Sequence, residues 1–539
     1  MGSRVRLLER RRRVSAGIAK RLALLAISSP ATAIASALVL LSGCAVGPDF
    51  TPPQAPPVSG YTPDTPPAAT TSAVDGQVGS GQQFVMGRDI PAEWWKVFHS
   101  KEIDALIVEA LRANPSLKAA QAALWQAKEN LYASAGALLP SADGTASATR
   151  QQFSPAEFGL PGAPEIFNLY QATVNVSYTP DVFGGVRRQI EANAALAEYQ
   201  RFELEATYLT LTANVVTAAI QEASLRGQIE ATEEIIKAES DQLTVVHNQF
   251  DAGAATRADV LQQESEVATT EATLPPLQKQ LEQQRHVLLA LIGHFPNEAG
   301  HDRLTLVSLH LPTSLPVSLP SQLVEQRPDI RAAQAQLHQA SAQIGVAIAN
   351  RLPQLSLTAQ YGSLALTPAA LFTPAAAVWS IGASATQPLF HGFTLLHQER
   401  AAKAAYEMAD AQYRNTVLTA FQNVADALRA LQLDAATLKA QQHAVRVASD
   451  TFDLTRGQYR LGAITYVVLL NAERSYQQSR LALVQAQAAR FADSAALFQA
   501  LGGGWWNRVD VHPDPFSPEP QLVHAASDSP PPTKVEPNK

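Results

Sequence analysis

The sequence predicts an α+β chain built from a duplicated cassette of strands and long helices, and three observations carry that reading. A turn written Tyr459-Arg460-Leu461-Gly462-Ala463-Ile464-Thr465 has a near copy, 209 residues earlier, at Phe250-Asp251-Ala252-Gly253-Ala254-Ala255-Thr256. Further matches run at one offset of 213: Asn114-Pro115 with Arg327-Pro328, Ala119 with Ala332, Gln121 with Gln334, Leu124 with Leu337, and Leu139-Pro140 with Leu352-Pro353. Each half also carries two segments in which apolar residues alternate with polar ones, the period of a strand, beside a long helical run.

Residues 1–43 join Arg4, Arg6, Arg10, Arg11, Arg12, Arg13, Lys20 and Arg21 to an apolar stretch from Leu22 to Leu41, the form of a secretion signal. Against Glu9 alone these cations make +7; the chain's net charge is -7, so the remainder carries -14. That balance opposes nonspecific nucleic-acid binding. Leu41-Ser42-Gly43-Cys44 resembles a bacterial lipobox, and Cys44 is the one cysteine in the sequence. A buried free cysteine in a cytosolic protein is the competing reading, and the position directly after an apolar run argues against it. A lipidated Cys44 would be stably anchored, since several acyl chains hold where one is marginal. Ala45 stands where the pattern for inner-membrane retention has Asp, so outer-membrane delivery follows.

From residue 44 to 82, Pro, Gly, Ser and Thr dominate and predict an extended, solvated linker. The first repeat, 83–293, opens on Trp94-Trp95-Lys96-Val97-Phe98 and a helical run from Ile103 to Leu111. Asn114-Pro115 starts a helix that Pro140 closes. Strands are expected at about 141–149 and 172–180. In the first, Ala142, Gly144, Ala146 and Ala148 alternate with Asp143, Thr145, Ser147 and Thr149; in the second, Val174, Val176 and Tyr178 alternate with Thr173, Asn175, Ser177 and Thr179. Residues 153–168, with three prolines, read as a loop. A long helix over 188–250, the turn at Gly253 and a helix over 256–293 complete the repeat, with a kink expected at Pro275-Pro276.

An irregular Pro-rich connection, 294–326, leads to the second repeat, 327–503. Its strands fall at about 354–362 and 378–387: Leu355, Leu357, Ala359 and Tyr361 share one face, as do Trp379, Ile381, Ala383 and Ala385. A helix over 393–460, the second turn and a helix to about Leu501 follow. Residues 504–539 are expected to form a C-terminal tail, Pro-rich and disordered at its end.

Helix lengths then suggest a geometry. Each long helix, about 95–100 Å at about 1.5 Å per residue, matches the combined length of the two shorter ones in its repeat, as in a helical barrel wall. Four strands cannot close a barrel alone, and an open edge in lipid leaves backbone groups unsatisfied. Three chains would supply twelve strands, within the range of outer-membrane barrels. A soluble sandwich is the alternative that strand alternation by itself leaves open. After residue 43 no run of about 20 apolar residues occurs, so no membrane-spanning helix is expected. No G-x-x-x-x-G-K-[ST], H-E-x-x-H or G-x-S-x-G motif is present, and an enzyme is disfavoured. His294 and His301 flank a Pro-Asn loop but lack partners at metal-ligand spacing.

Several stretches resemble the TolC-like outer-membrane efflux proteins, in their NodT/OprM-type lipoprotein branch. They are Cys44-Ala45-Val46-Gly47-Pro48-Asp49-Phe50, Trp94-Trp95-x-x-Phe98, Leu111-x-x-Asn114-Pro115-x-Leu117 and Phe250-x-Ala252-Gly253-Ala254-Ala255-Thr256-Arg257-Ala258-Asp259-Val260-Leu261-Gln262. The resemblance covers Cys44 to about Trp506. It implies a homotrimer whose twelve-stranded transmembrane β-barrel continues into a long periplasmic α-helical barrel. Its implied partners are outer-membrane lipid, a periplasmic adaptor protein and an inner-membrane pump of the RND type, with no cofactor beyond the covalent lipid. The implied function is a passive exit duct for small toxic compounds. An outer-membrane component of type I protein secretion and a structural coiled-coil envelope lipoprotein are the alternatives.

The same resemblance makes the two turns the closed periplasmic end, with Gly253, Ala254, Gly462 and Ala463 as adaptor-docking tips. Tyr459 and Asp259 match a tyrosine and an aspartate that link neighbouring coiled coils, and Tyr466 matches a constriction tyrosine. The sequence departs at two positions where acidic pore rings stand in the family, here Val468 and Asn471. An apolar ring and an amide ring would replace charges that attract cations.

Overall fold

The computed structural model describes residues 45–64, 67–73, 77–159, 161–298 and 304–509. The expected signal peptide, Cys44, His301 and the tail from 510 onward lie outside the described residues. In chain order the elements are β1 (Gln83–Met86), α1 (Lys101–Ala113), α2 (Pro115–Gly136), β2 (Ser141–Phe153), β3 (Glu165–Tyr178), α3 (Gly185–Asp251), α4 (Arg257–Glu271), α5 (Leu274–Leu291), β4 (Ser314–Val317), α6 (Pro320–Gln326), α7 (Pro328–Ala349), β5 (Gln354–Ala365), β6 (Ala377–Thr386), α8 (Thr394–Arg460) and α9 (Tyr466–Ala500). The duplication is plain in α3 and α8, each of 67 residues. Among the described residues no helix is long and apolar enough to cross a membrane.

The chain divides into two compact units that cut across the repeats: residues 45–51, 128–196 and 337–408 form one, and 52–127, 197–336 and 409–509 the other. The first unit holds an antiparallel sheet in the order β2-β3-β5-β6. Its register aligns the apolar positions on one face: Gly144 lies opposite Val174, Val174 opposite Tyr361, and Tyr361 opposite Trp379. Trp379 and Ile381 are 72% and 79% exposed, so the face is uncovered within the chain. Polar residues occupy the other face, where Thr145 and Thr173 hydroxyls meet at 2.9 Å and the Asn175 amide donates to Thr145 Oγ1 at 3.0 Å. The strands outrun their expected limits. β2 continues to Phe153 and β3 begins at Glu165, inside the stretch read as a loop, because the prolines at 155, 161 and 164 all fall in the connection and none interrupts the ladder.

The segment after Cys44 is extended and mostly exposed, as expected, and its first residues are fastened to α3 and α7. Val46 N–H donates to the Phe183 carbonyl at 3.0 Å. Arg188, buried on α3, donates to the carbonyls of Val46 and Gly47 and pairs with Asp49 at 2.7 Å. Phe50 stacks on His338 with ring centroids 4.4 Å apart. The slot needs glycine: a Cβ on Gly47, already at φ +100°, would sit 2.5 Å from Gly345 Cα.

The second unit is organised on one large apolar core. In α1, Ile103, Leu106, Ile107 and Ala110 recur at helical spacing and are buried, and Ser100 caps the helix by accepting from Ile103 N–H at 3.2 Å. Trp94 and Phe98, on a short 3-10 turn, are fully buried with Phe491 and Phe498 of α9. The connection read as irregular contains β4, which pairs in parallel with β1, followed by α6. Four-residue strands, one with Pro316 inside it, leave no alternation to read. The expected helix over 256–293 is two helices: α4 ends at Glu271, and Pro275 and Pro276 sit in the first turn of α5, where the missing N–H groups have no helical acceptor to lose.

One guanidinium fastens β1 to this core. Arg490, fully buried on α9, donates to the carbonyls of Val78 (2.5 Å) and Ser80 (3.2 Å) and to Gln82 Oε1 (2.9 Å). Gln82 in turn donates to the Pro312 carbonyl at 3.1 Å and to Ser494 Oγ at 3.0 Å.

Candidate functional site

Both copied turns lie in the second unit and are bonded in the same way. Gly253 N–H donates to the Phe250 carbonyl and Ala254 N–H to that of Gln249, at 2.9 and 2.7 Å. At the other turn Gly462 N–H reaches Tyr459 and Ala463 N–H reaches Gln458, at 2.9 and 3.0 Å. This crossed pair of bonds is the Schellman ending of a helix, which requires a left-handed residue. Gly253 and Gly462 supply it at φ +75° and +70°. A Cβ at either position would meet nothing within 4 Å, so backbone conformation alone selects glycine. Gly462→Ala is accordingly expected to destabilise the tip by about 1–2 kcal/mol without changing its packing; faster amide exchange at the end of α8, with the rest of the protein unaffected, is the measurement. Ala254 and Ala463 stand exposed beside the two glycines.

A small core joins the turns. Val246 of α3, Val260 of α4 and Tyr466, Leu469 and Leu470 of α9 are buried together, with Phe452 and Tyr459 of α8 against them. Tyr459 and Tyr466 rings lie 5.2 Å apart. The Tyr466 hydroxyl donates to the Gln263 side chain, and burial pushes its pKa well above the ordinary tyrosine value. Tyr459 donates to Gln249 Oε1 at 3.3 Å; its pKa is raised too, by burial first and then by the charge of Asp259.

Asp259 has a local role. Its carboxylate accepts from Thr256 N–H at 2.8 Å and Thr256 Oγ1 at 2.7 Å, while Thr256 Oγ1 accepts from Asp259 N–H at 3.2 Å, a capping box that starts α4. Val468 and Asn471 are exposed on the face of α9 turned away from Tyr466, Leu469 and Leu470. The structure thus brings Tyr459, Tyr466 and both turns together, and leaves Val468 and Asn471 outside that core.

The sequence reading missed Gln249 and Gln263, and a group of carboxylates one heptad from Tyr466. Glu266 of α4 is buried and held by the Arg474 guanidinium, with Arg474 Nε to Glu266 Oε1 at 2.7 Å. Glu473 extends the buried stripe Tyr466, Leu469, Leu470, and a charged residue on such a stripe was the available signal. No three His, Cys, Asp or Glu side chains gather as a metal site among the described residues. His294 is occupied by carboxylates, its Nε2 2.8 Å from Glu109 and its Nδ1 2.8 Å from Glu298.

Comparison with known proteins decides the family. The sequence model described as "Outer membrane efflux protein" matches residues 106–294 and again 319–503, starting points 213 apart. The chain belongs to the outer membrane efflux protein family. The double match is the internal repeat seen from outside. Among relatives, the pyoverdine export outer membrane protein OpmQ of Pseudomonas aeruginosa is 32% identical over 77% of this chain and 87% of its own length. The toluene efflux pump outer membrane protein TtgC of Pseudomonas putida is 29% identical over 87% and 94%. The solved outer-membrane channel OprN superposes with a TM-score of 0.77 at 28% identity, covering 86% of this chain and all of that one. The solved channel OprN therefore shares the fold over most of the chain.

Proposed function

We propose that this family member works as the passive exit duct of a tripartite efflux system in the bacterial outer membrane, as a homotrimer carrying small toxic compounds outward. The observation that carries the reading is the four-stranded sheet, with its apolar face uncovered and with β2 and β6 as unpaired edges. An open edge is intolerable in hydrocarbon, and three such sheets joined edge to edge leave none. The named relatives, an exporter of pyoverdine and a toluene pump component, support small-molecule cargo over secreted protein. A spacer lipoprotein would have no use for such a sheet. The test is the mass and conductance of the purified chain in lipid nanodiscs and planar bilayers. A particle of three chains with ohmic current supports the duct; a monomer, or a trimer without current, rejects it.

The periplasmic gate is placed at the two Schellman turns. In the closed trimer Tyr459 and Asp259 link neighbouring coiled coils, Val468 and Asn471 form an apolar and an amide ring in the bore, and the constriction tyrosine, Tyr466, acts from behind them, buried in the tip core against Gln263. Exposure of Val468 and Asn471 on the free face of α9 supports that assignment. Val468→Asp is then expected to raise the cation preference of the pore, read as a shift of reversal potential under a salt gradient; an unchanged potential removes Val468 from the bore. The tips, through Gly253, Ala254, Gly462 and Ala463, dock a periplasmic adaptor that leads to an RND-type inner-membrane pump, and photocrosslinking from Ala254 and Ala463 tests this. Cys44 carries the lipid anchor; an unacylated Cys44 peptide in mass spectra of membrane-extracted protein would refute it.

A further inference from the structure

One heptad from the tip, three carboxylates from three helices are taken out of water together. Glu239 of α3, Glu266 of α4 and Glu473 of α9 are 0%, 5% and 4% exposed. A buried carboxylate must be paired, hydrogen-bonded or protonated, since an isolated charge there is strongly unfavourable. Glu266 is paired with Arg474. Glu239 uses one oxygen only, Oε1, which accepts from Thr270 Oγ1 at 3.0 Å and Gln477 Nε2 at 2.8 Å. Its Oε2 and Glu473 Oε2 are both buried without a partner. The charged groups that face Glu473 are Glu239 from α3, Glu266 from α4 and Arg456 from α8; Arg474, its neighbour on α9, faces Glu266 and Glu239. Three acids against two guanidiniums leave the layer one positive charge short.

A hydrogen-bonded path connects the layer to the tip. The Tyr466 hydroxyl donates to Gln263, and Gln263 Nε2 donates to the backbone carbonyl of Glu239 itself at 3.0 Å. One glutamine thus touches both Tyr466 of α9 and the backbone of Glu239 on α3.

We propose that Glu239 and Glu473 form a buried proton-binding site, taking up one proton between them, and that loss of this proton loosens α9 from α3 and eases the tip toward opening. Burial first, and then the charges of Glu239 and Glu266, push the Glu473 carboxyl up to about 7 from its ordinary 4.5. Glu239 is raised as well, by burial first. The sign follows from linkage: the folded layer binds a proton that the unfolded chain releases near 4.5. The layer is fully stable below that value, weakens as pH rises toward 7, and above 7 buries an uncompensated charge.

The test uses the full-length protein. Infrared difference spectroscopy from about pH 5.5 to about pH 8.5 reads the C=O stretch of protonated carboxyl groups. Asp493→Asn serves as the background, because Asp493 is pushed up to about 7 beside Asp434 and would titrate in the same range. A band that fades near pH 7 and is missing in Glu473→Gln is expected. A melting temperature that falls over the same range in the parent and stays flat in Glu473→Gln is expected with it. The parent protein alone is decisive if the variant folds poorly: no titrating band overturns the site. The coupling to opening rests on the duct reading above, and its arm is separate. Bilayer current should rise several-fold from about pH 6 to about pH 8 in the parent and be pH-independent in Glu473→Gln. Current that ignores pH while the band titrates overturns the coupling, whereas a titrating band without any current rejects the duct and leaves the proton site standing.

Discussion

Arg490→Ala is expected to cost the second unit about 2–4 kcal/mol. The reason is what it leaves behind. The carbonyls of Val78 and Ser80 and the side chain of Gln82 all accept from this one guanidinium, and Gln82 is itself fully buried. Removing the donor strands the fully buried Gln82 side chain and takes a partner from two partly buried carbonyls, at about 1–3 kcal/mol for a buried acceptor. Because the Gln82 side chain also bridges to Pro312 and Ser494, β1 should part from β4 before the helices melt. Limited proteolysis reads this as new cleavage between residues 70 and 90 at a temperature where the parent is resistant. Arg490→Lys should rescue little, since an ammonium cannot span acceptors arranged for a planar fork.

Trp94→Ala is expected to be comparably severe, about 3–5 kcal/mol, for an apolar reason. Trp94 is fully buried, stacked on Phe498 at 5.5 Å and edge-on to Trp95 at 6.1 Å, so truncation opens a cavity walled by rings and helix backbone that cannot collapse. Trp94→Phe provides the control. The indole Nε1 is buried without a hydrogen-bond partner, so the smaller ring gives up volume but also removes an unsatisfied donor. Its cost should stay below about 1.5 kcal/mol. A melting temperature equally depressed in both variants would show that the indole nitrogen matters and the packing argument fails.

Much of the architecture was legible because it is written locally. Alternation along β5 and β6 put Tyr361 and Trp379 on one face, and the ladder pairs those two residues. Gly253 and Gly462 could be placed in tight turns because only a left-handed residue ends a helix that way. What the sequence concealed depends on partners from far along the chain. Nothing around Gln82 announces Arg490, and although Asn114-Pro115 reads as the start of a helix, nothing there announces that the Asn114 amide also donates to the Leu291 carbonyl. The start of β3 was hidden by nearby prolines, and the break before α5 by the habit of treating Pro275-Pro276 as a flaw inside a helix rather than a beginning. At the tip, Tyr466 was readable as a member of the site. The carboxylates behind it were not, because one heptad of α9 says that Glu473 is buried but not that Glu239 and Glu266 are buried with it.

The sheet of the first unit has a consequence for biogenesis. Its central ladder joins β3 to β5, with Tyr178 opposite Leu357 and Tyr170 opposite Ala365. Between those strands the chain must first be made through α3, α4, α5, β4, α6 and α7. After export the β2-β3 hairpin therefore stays without its β5 partner until that whole intervening stretch has folded back on itself. Wall formation is a late step, entropically slow because its loop is long, and the exposed Val174 and Ile166 must be kept from aggregation until the second repeat arrives.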